Sequence, residues 1–162
     1  MSSMNEFTIS FPKGAIRFEL TLMLFIILFP VMFTVTGQET HVVMYVSFGL
    51  LALCLGGLPA LHMITHKIRV NRRSIQVRKG LFRKFSIDVT QINRVDGEIA
   101  NTVFGTLNTL MVRAGSRKFK VNVLMEVEKS QKNGASAMLA YLIENIDESK
   151  IHITTHNPMN LK

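Results

Sequence analysis

Four cations bracket a single glycine near the middle of this chain, in the run Arg78-Lys79-Gly80-Leu81-Phe82-Arg83-Lys84. A tight turn at Gly80 folds the two basic pairs against each other. Cations held that closely suit a phosphate or another anion, because Arg and Lys offer donors and positive charge but no acceptor. Arg72 and Arg73 extend the basic run upstream. Together Arg72, Arg73, Arg78, Lys79, Arg83 and Lys84 form the candidate surface for an anionic lipid or an acidic protein partner. The competing reading is a solvated basic face that needs no ligand.

Little else in the sequence has the makings of chemistry. His62 and His66 are four residues apart, as are His152 and His156, a spacing that can ligate metal on a helix. Neither pair has a third ligand at suitable spacing. The single cysteine, Cys54, has no partner for an intrachain disulfide and reads as a small packing residue. The nucleophile-elbow, P-loop, dinucleotide-binding and H-E-x-x-H motifs do not occur. Asp88, Asp96 and Glu98 come from strand and turn positions that sequence alone does not pair. The expectation is a non-enzymatic protein with no cofactor and no metal.

The elements that position the basic run begin with two apolar stretches. Residues Ile16 to Val35 carry only Arg17 and Glu19 as charges, and Val42 to Ile64 carry none. At about 1.5 Å per residue they reach roughly 30 and 34 Å, enough to cross a hydrocarbon core of about 30 Å. Thr36-Gly37-Gln38-Glu39-Thr40-His41 is a connection long enough to turn a helical hairpin. The first stretch is longer than a signal-peptide core and ends without a small-residue cleavage site, so it is read as retained. Lys13 and Arg17 lie at its start, and Lys67, Arg69, Arg72, Arg73, Arg78 and Lys79 follow the second stretch, while the connection has no Lys or Arg. The positive-inside rule therefore predicts a multi-pass protein of the cell (plasma) membrane with both termini in the cytoplasm. No acid or base sits at mid-depth, which argues against a proton relay or an ion path. Pro30 and Pro59 are expected to kink their helices. Ala52, Gly56 and Ala60 form a small-residue stripe suited to close helix packing, against the first span or, alternatively, in a dimer.

After His66 the apolar period changes to two. Ile68 and Val70, Ile75 and Val77, Phe85, Ile87 and Val89, Leu110 and Val112, and Phe119, Val121 and Val123 each mark a strand with one buried face. Turn signals at Asn71-Arg72-Arg73, Lys79-Gly80, Asp96-Gly97 and Ala114-Gly115-Ser116 predict antiparallel hairpins. Ala135, Met138, Leu139, Leu142, Ile143 and Ile146 then form one helical stripe, with Ser130 or Asn133 as its cap. The chain thus divides into an N-terminal arm (1–14), a two-span hairpin (15–65), a domain (66–148) and a tail (149–162). Alternation of Phe7, Ile9 and Phe11 predicts that the arm adds an edge strand, the alternative being a frayed terminus.

The order of these pieces carries a resemblance. The strand His66-Lys67-Ile68-Arg69-Val70, the hairpin from Ser74 to Phe85, the stretch Ile87-Asp88-Val89-Thr90-Gln91-Ile92-Asn93-Arg94-Val95 and the turn Phe104-Gly105-Thr106-Leu107 resemble bacterial pleckstrin-homology-like (PH-like) domains behind paired transmembrane helices. Thr106-Leu107 departs from that family's pattern by replacing its second glycine. The resemblance implies a membrane α-helical hairpin plus an α+β domain, a PH-like bent antiparallel sheet or barrel capped by a C-terminal helix. It also implies binding rather than catalysis, with basic residues around the first hairpins holding an anionic headgroup. The full basic motif of inositide-binding domains is not evident.

Charge distribution agrees with one basic surface. Thirteen Lys and Arg lie between His66 and Lys120 against three acids, whereas Val121 to Lys162 holds four against five. The expected role is a membrane-anchored binding or scaffolding module at the cytoplasmic leaflet. The alternative is a regulatory or protective subunit of a larger membrane assembly, or a homo-oligomer, with the Ala52/Gly56/Ala60 stripe as the intramembrane contact. Nucleic acid is not expected, because Phe82, Phe85, Phe104 and Phe119 mostly fall on apolar phases rather than forming a stacking platform.

Overall fold

The computed structural model describes residues 6–36, 42–102, 105–128, 130 and 132–156. The chain divides into two compact units: Phe11–His66, and the residues on either side of it, up to Ser10 and from Lys67 onward.

The first unit consists of two helices long and apolar enough to cross a membrane, Lys13–Val35 and Val42–Thr65. The first is α1 (Lys13–Val35). The second is built from α2 (Val42–Ala52), a π-helical turn (Leu53–Gly57) and α3 (Leu58–Thr65). The π turn precedes Pro59, which has no N–H for the ladder and whose ring crowds the carbonyl one turn back. Widening the helix there, with Leu58 N–H donating to Leu53 O, moves the ladder around the obstacle. α1 packs along all three segments. Near the other end of the pair, the hydroxyls of Thr34 and Tyr45 hydrogen-bond to each other. Most of the connection, Gly37 to His41, lies outside the described residues.

The second unit is an α+β structure with two sheets. Sheet A has the order β4 (Arg83–Asp88), β3 (Ser74–Lys79), β2 (Lys67–Val70), β1 (Phe7–Ser10), β8 (Glu126–Val127). Sheet B has the order β7 (Arg117–Val121), β6 (Gly105–Ala114), β5 (Arg94–Thr102), β9 (Ile151–His156). The inward residues of the alternating strands make the core: Ile9, Ile68, Ile75, Val77 and Ile87 from sheet A and Val95, Val112, Phe119 and Val121 from sheet B are all fully buried. At one side the sheets are tied by Arg117 Nη1 donating to Ser86 O at 2.6 Å, β7 to β4. Helix α4 (Gly134–Asn145) contacts both β6 and β8, buries Met138 and Leu142, and is capped by Asn133, whose side chain accepts from Ser136 N–H at 3.0 Å.

Three features depart from the sequence expectations. The N-terminal arm is not an edge strand: β1 sits between β2 and β8, paired to both. Its Ile9 is fully buried, and Gly134 opens α4 against it, since a Cβ there would lie 2.5 Å from Ile9 Cγ2. Asp96-Gly97 is not a turn but part of β5; Gly97 allows Ile153 and Leu110 to approach, each about one van der Waals contact from where a Cβ would stand. The first part of the tail, Ile151–His156, is a strand parallel to β5, so sheet B is mixed. Asn157 to Lys162 lie outside the described residues.

Candidate functional site: a basic hairpin

The register of sheet A assembles the site. Arg78 lies opposite Lys84, and Lys79 opposite Arg83, so four cations form two rungs at the end of the β3–β4 hairpin. Alternation sends the two rungs to opposite faces. Arg78 and Lys84 extend the exposed row, whereas Lys79 continues the row of Ile75 and Val77 toward the core. Lys79 Nζ then reaches across to sheet B and donates to Lys118 O at 3.0 Å. Burial, followed by the positive charges of Lys118 and Arg83, holds the Lys79 ammonium below its usual pKa. Among the described residues no carboxylate is in salt-bridge range of Arg78, Lys79, Arg83 or Lys84.

The turn itself is Gly80, Leu81 and Phe82, with Gly80 in the left-handed region at φ +67°. Phe82 is 95% exposed and Leu81 53%. The sequence grouped Phe82 with aromatics on apolar phases. That grouping holds for Phe119, which is fully buried, and fails for Phe82, which lies in the turn where the two-residue alternation has stopped. Phe104 is outside the described residues.

Not all six predicted cations join the cluster. Arg72 and Arg73 occupy the β2–β3 turn, at the opposite end of the same strands. Six residues of β3 at about 3.3 Å each put the two groups some 15 to 20 Å apart. Their turn is fastened to α4, because Tyr141 Oη donates to Asn71 O at 2.9 Å. Burial and then the charge of Asp88 push the Tyr141 hydroxyl above its usual pKa. Arg73 has a nearby counter-charge in Asp88. In their place Lys118, on a strand distant in sequence, belongs to the cluster. Nothing in the local pattern around Lys118 signals that neighbourhood, which arises from the meeting of two sheets.

Register also fixes where the cluster lies relative to the chain path. Ser10 pairs with Lys67, Lys67 with Arg78, and Arg78 with Lys84, forming one row across four strands. Ser10 is where the chain leaves for α1, and Lys67 is where it returns from α3. With strands about 4.8 Å apart, Lys84 stands roughly 10 Å along that row from Lys67. Lys67 itself is held by Glu128 at 3.1 Å. Burial pushes the Glu128 carboxyl up, but the Lys67 ammonium outweighs it with further help from Ser10 and Arg69, leaving it below the usual range.

The other predicted positions fall elsewhere. Ala52, Gly56 and Ala60 are buried, and a Cβ on Gly56 would lie 2.7 Å from both Glu19 O and Met23 Cβ of α1. The stripe is thus used inside the chain. His62 and His66 have ring centroids 5.2 Å apart and pack with Phe11. Among the described residues no three His, Cys, Asp or Glu gather as a metal site would require. Cys54 is exposed on its helix.

No family model matches this chain, nor does any curated protein or solved structure.

Proposed function

We propose that this chain is a membrane-anchored, non-enzymatic binding module. On this reading the two apolar helices span the cell membrane with both termini in the cytoplasm, and a PH-like domain docks its basic hairpin on anionic headgroups of the cytoplasmic leaflet. One observation carries it: the Arg78–Lys84 rung stands on the row of sheet A from which the chain departs into the apolar helices and to which it returns, the Lys79–Arg83 rung lies one residue further toward the tip, and among the described residues neither has a carboxylate in salt-bridge range. Each Lys or Arg near an anionic leaflet contributes about 1 kcal/mol, within a Debye length of roughly 8 Å at physiological salt. Three such contacts, from Arg78, Arg83 and Lys84, suffice to orient a domain that is already tethered. The β2–β3–β4 meander, the second sheet and a helix touching both sheets support the PH-like reading. A role as a subunit of a larger assembly relied on the small-residue stripe as an outward contact, and α1 already occupies Gly56.

The test uses the full chain, because a fragment starting at residue 66 would lack β1. The chain is reconstituted in nanodiscs of phosphatidylcholine alone or with phosphatidylglycerol, and acetylation of Lys84 and Lys118 is followed by mass spectrometry over a salt series. Protection in the anionic discs that fades with salt is the expected result. Equal labelling in both disc types rules out lipid docking. If added poly-glutamate then protects the same lysines, the cluster belongs to an acidic protein partner instead.

A further inference from the structure

The cations explain attraction to a charged surface but not the two residues they bracket. A reversing turn at this position requires a glycine with positive φ and nothing apolar: the β6–β7 hairpin turns on Gly115, at φ +55°, with Ser116 beside it. The β3–β4 turn instead spends its tip on Leu81 and Phe82, and Phe82 is almost wholly exposed. Among the described residues, leaving aside Gly80's own chain neighbours, no atom lies within 4 Å of where a Cβ on Gly80 would stand. Large apolar side chains set between cations are the pattern of a segment that seats at the headgroup–acyl boundary, with rings and aliphatic groups in the hydrocarbon and charges among the phosphates.

We infer that Leu81 and Phe82 form an interfacial anchor, a wedge that enters an anionic glycerophospholipid leaflet while Arg78, Arg83 and Lys84 pair with the phosphates around it. This rests on the docking proposed above and adds a depth to it. Charge complementarity selects the occupant, because an apolar tip ringed by four cations repels a second copy of itself and matches a surface that is negative outside and apolar beneath. The position on the sheet agrees. The tip projects beyond the Ser10–Lys67–Arg78–Lys84 row, at the end of sheet A where the chain passes into and out of the two apolar helices. Insertion would make part of the docking resistant to salt, since hydrocarbon contact is not screened.

The sequence contains no tryptophan, so Phe82→Trp places the sole indole of the molecule at the tip. The full-length variant is reconstituted in the same anionic nanodiscs, with and without phospholipid brominated on the acyl chains near the glycerol. The expected result is a blue-shifted emission that the brominated lipid quenches, both persisting when salt is raised. Emission at the wavelength of a water-exposed indole, unaffected by bromine, overturns the inference. So does a blue shift without quenching, which would put the tip against protein. Acetylation of Lys84 and Lys118 in the same samples separates the two readings. Protected lysines with an aqueous indole leave docking intact and remove insertion, whereas accessible lysines with an aqueous indole remove both. Leu81→Ser/Phe82→Ser supplies the independent check: it leaves the four cations in place, and its lysine protection is expected to become fully salt-sensitive.

Discussion

Cations face one another directly across neighbouring strands in both sheets, yet the two sheets treat them differently. In sheet B, Arg94 lies opposite Arg113, and Asp96 sits between them, with Oδ1 2.7 Å from Arg94 Nε and Oδ2 3.3 Å from Arg113 Nε. In sheet A, Lys67 opposite Arg78 is paired with Glu128, but among the described residues the Arg78–Lys84 and Lys79–Arg83 rungs have no carboxylate in salt-bridge range. Like charges directly opposed on a sheet are destabilising. Where a basic rung serves the fold, the fold supplies its own counter-charge. Where it does not, the uncompensated rung identifies the surface on which an external anion has most to offer.

Replacing Arg78, Lys79, Arg83 and Lys84 by Glu tests that contrast most severely. At about 1 kcal/mol per cation, loss of the four charges alone should lower the docking equilibrium on anionic discs by roughly three orders of magnitude, and reversal by more, read from the labelling of Lys118. Unchanged labelling would mean the sheet A rungs are no more available than those of sheet B. Asp96→Asn should act on stability instead, lowering it by no more than about 1 kcal/mol, because both arginines it pairs with are more than a third exposed. Thermal melting followed by far-ultraviolet circular dichroism would register this, and docking should not move. The two hairpin turns provide an internal control. Gly80→Ala and Gly115→Ala each place a side chain at positive φ with no nearby clash, so each should cost about 1 kcal/mol; a large inequality would show that the turns differ in more than their tips.

A gain of stability should follow from making sheet A resemble sheet B. Gln76 precedes Arg78 by two on the same strand, as Arg94 precedes Asp96, so Gln76→Glu adds the missing carboxylate beside the rung. The fold should gain about 0.5 kcal/mol while anionic docking weakens. Smallest is the loss of the Lys67–Glu128 pair. Both side chains are more than a third exposed, so Glu128→Gln should cost no more than about 0.5 kcal/mol. Because the folded Glu128 pKa is depressed, its contribution is present above the unfolded carboxyl's pKa and disappears as pH falls through the lower folded value. The wild-type and Glu128→Gln melting curves should therefore converge in acid.

Local pattern made some of this molecule readable and topology concealed the rest. Two uninterrupted apolar runs are visible as helices because length and composition suffice. The strands from β2 to β4 follow from alternation, and the cation rungs follow from a glycine set between two basic pairs. Arg72 and Arg73 were grouped with those rungs by proximity in sequence, although one strand of alternating residues already separates the two ends. Gly97 looked like punctuation because a close approach from Ile153, far along the chain, cannot be seen locally. The strand at Ile151–His156 is polar, and its place depends on pairing with β5 rather than on a buried face. Phe82 misled for the opposite reason, since an aromatic residue in a basic hairpin looks like core until the turn is placed.

Because β1 precedes the apolar helices and β2 follows them, the sheet-bearing unit is fastened to the apolar pair by two covalent legs joined through hydrogen bonds. A protease cutting once between α3 and β2 would not release it, since β1 would still grip β2 on one side and β8 on the other. Shedding requires a second cut before α1, or forced extraction of β1 by shearing both of its ladders. The same arrangement imposes an order on synthesis: β1 is made first but finds no partner until both apolar helices have been made and β2 has followed them.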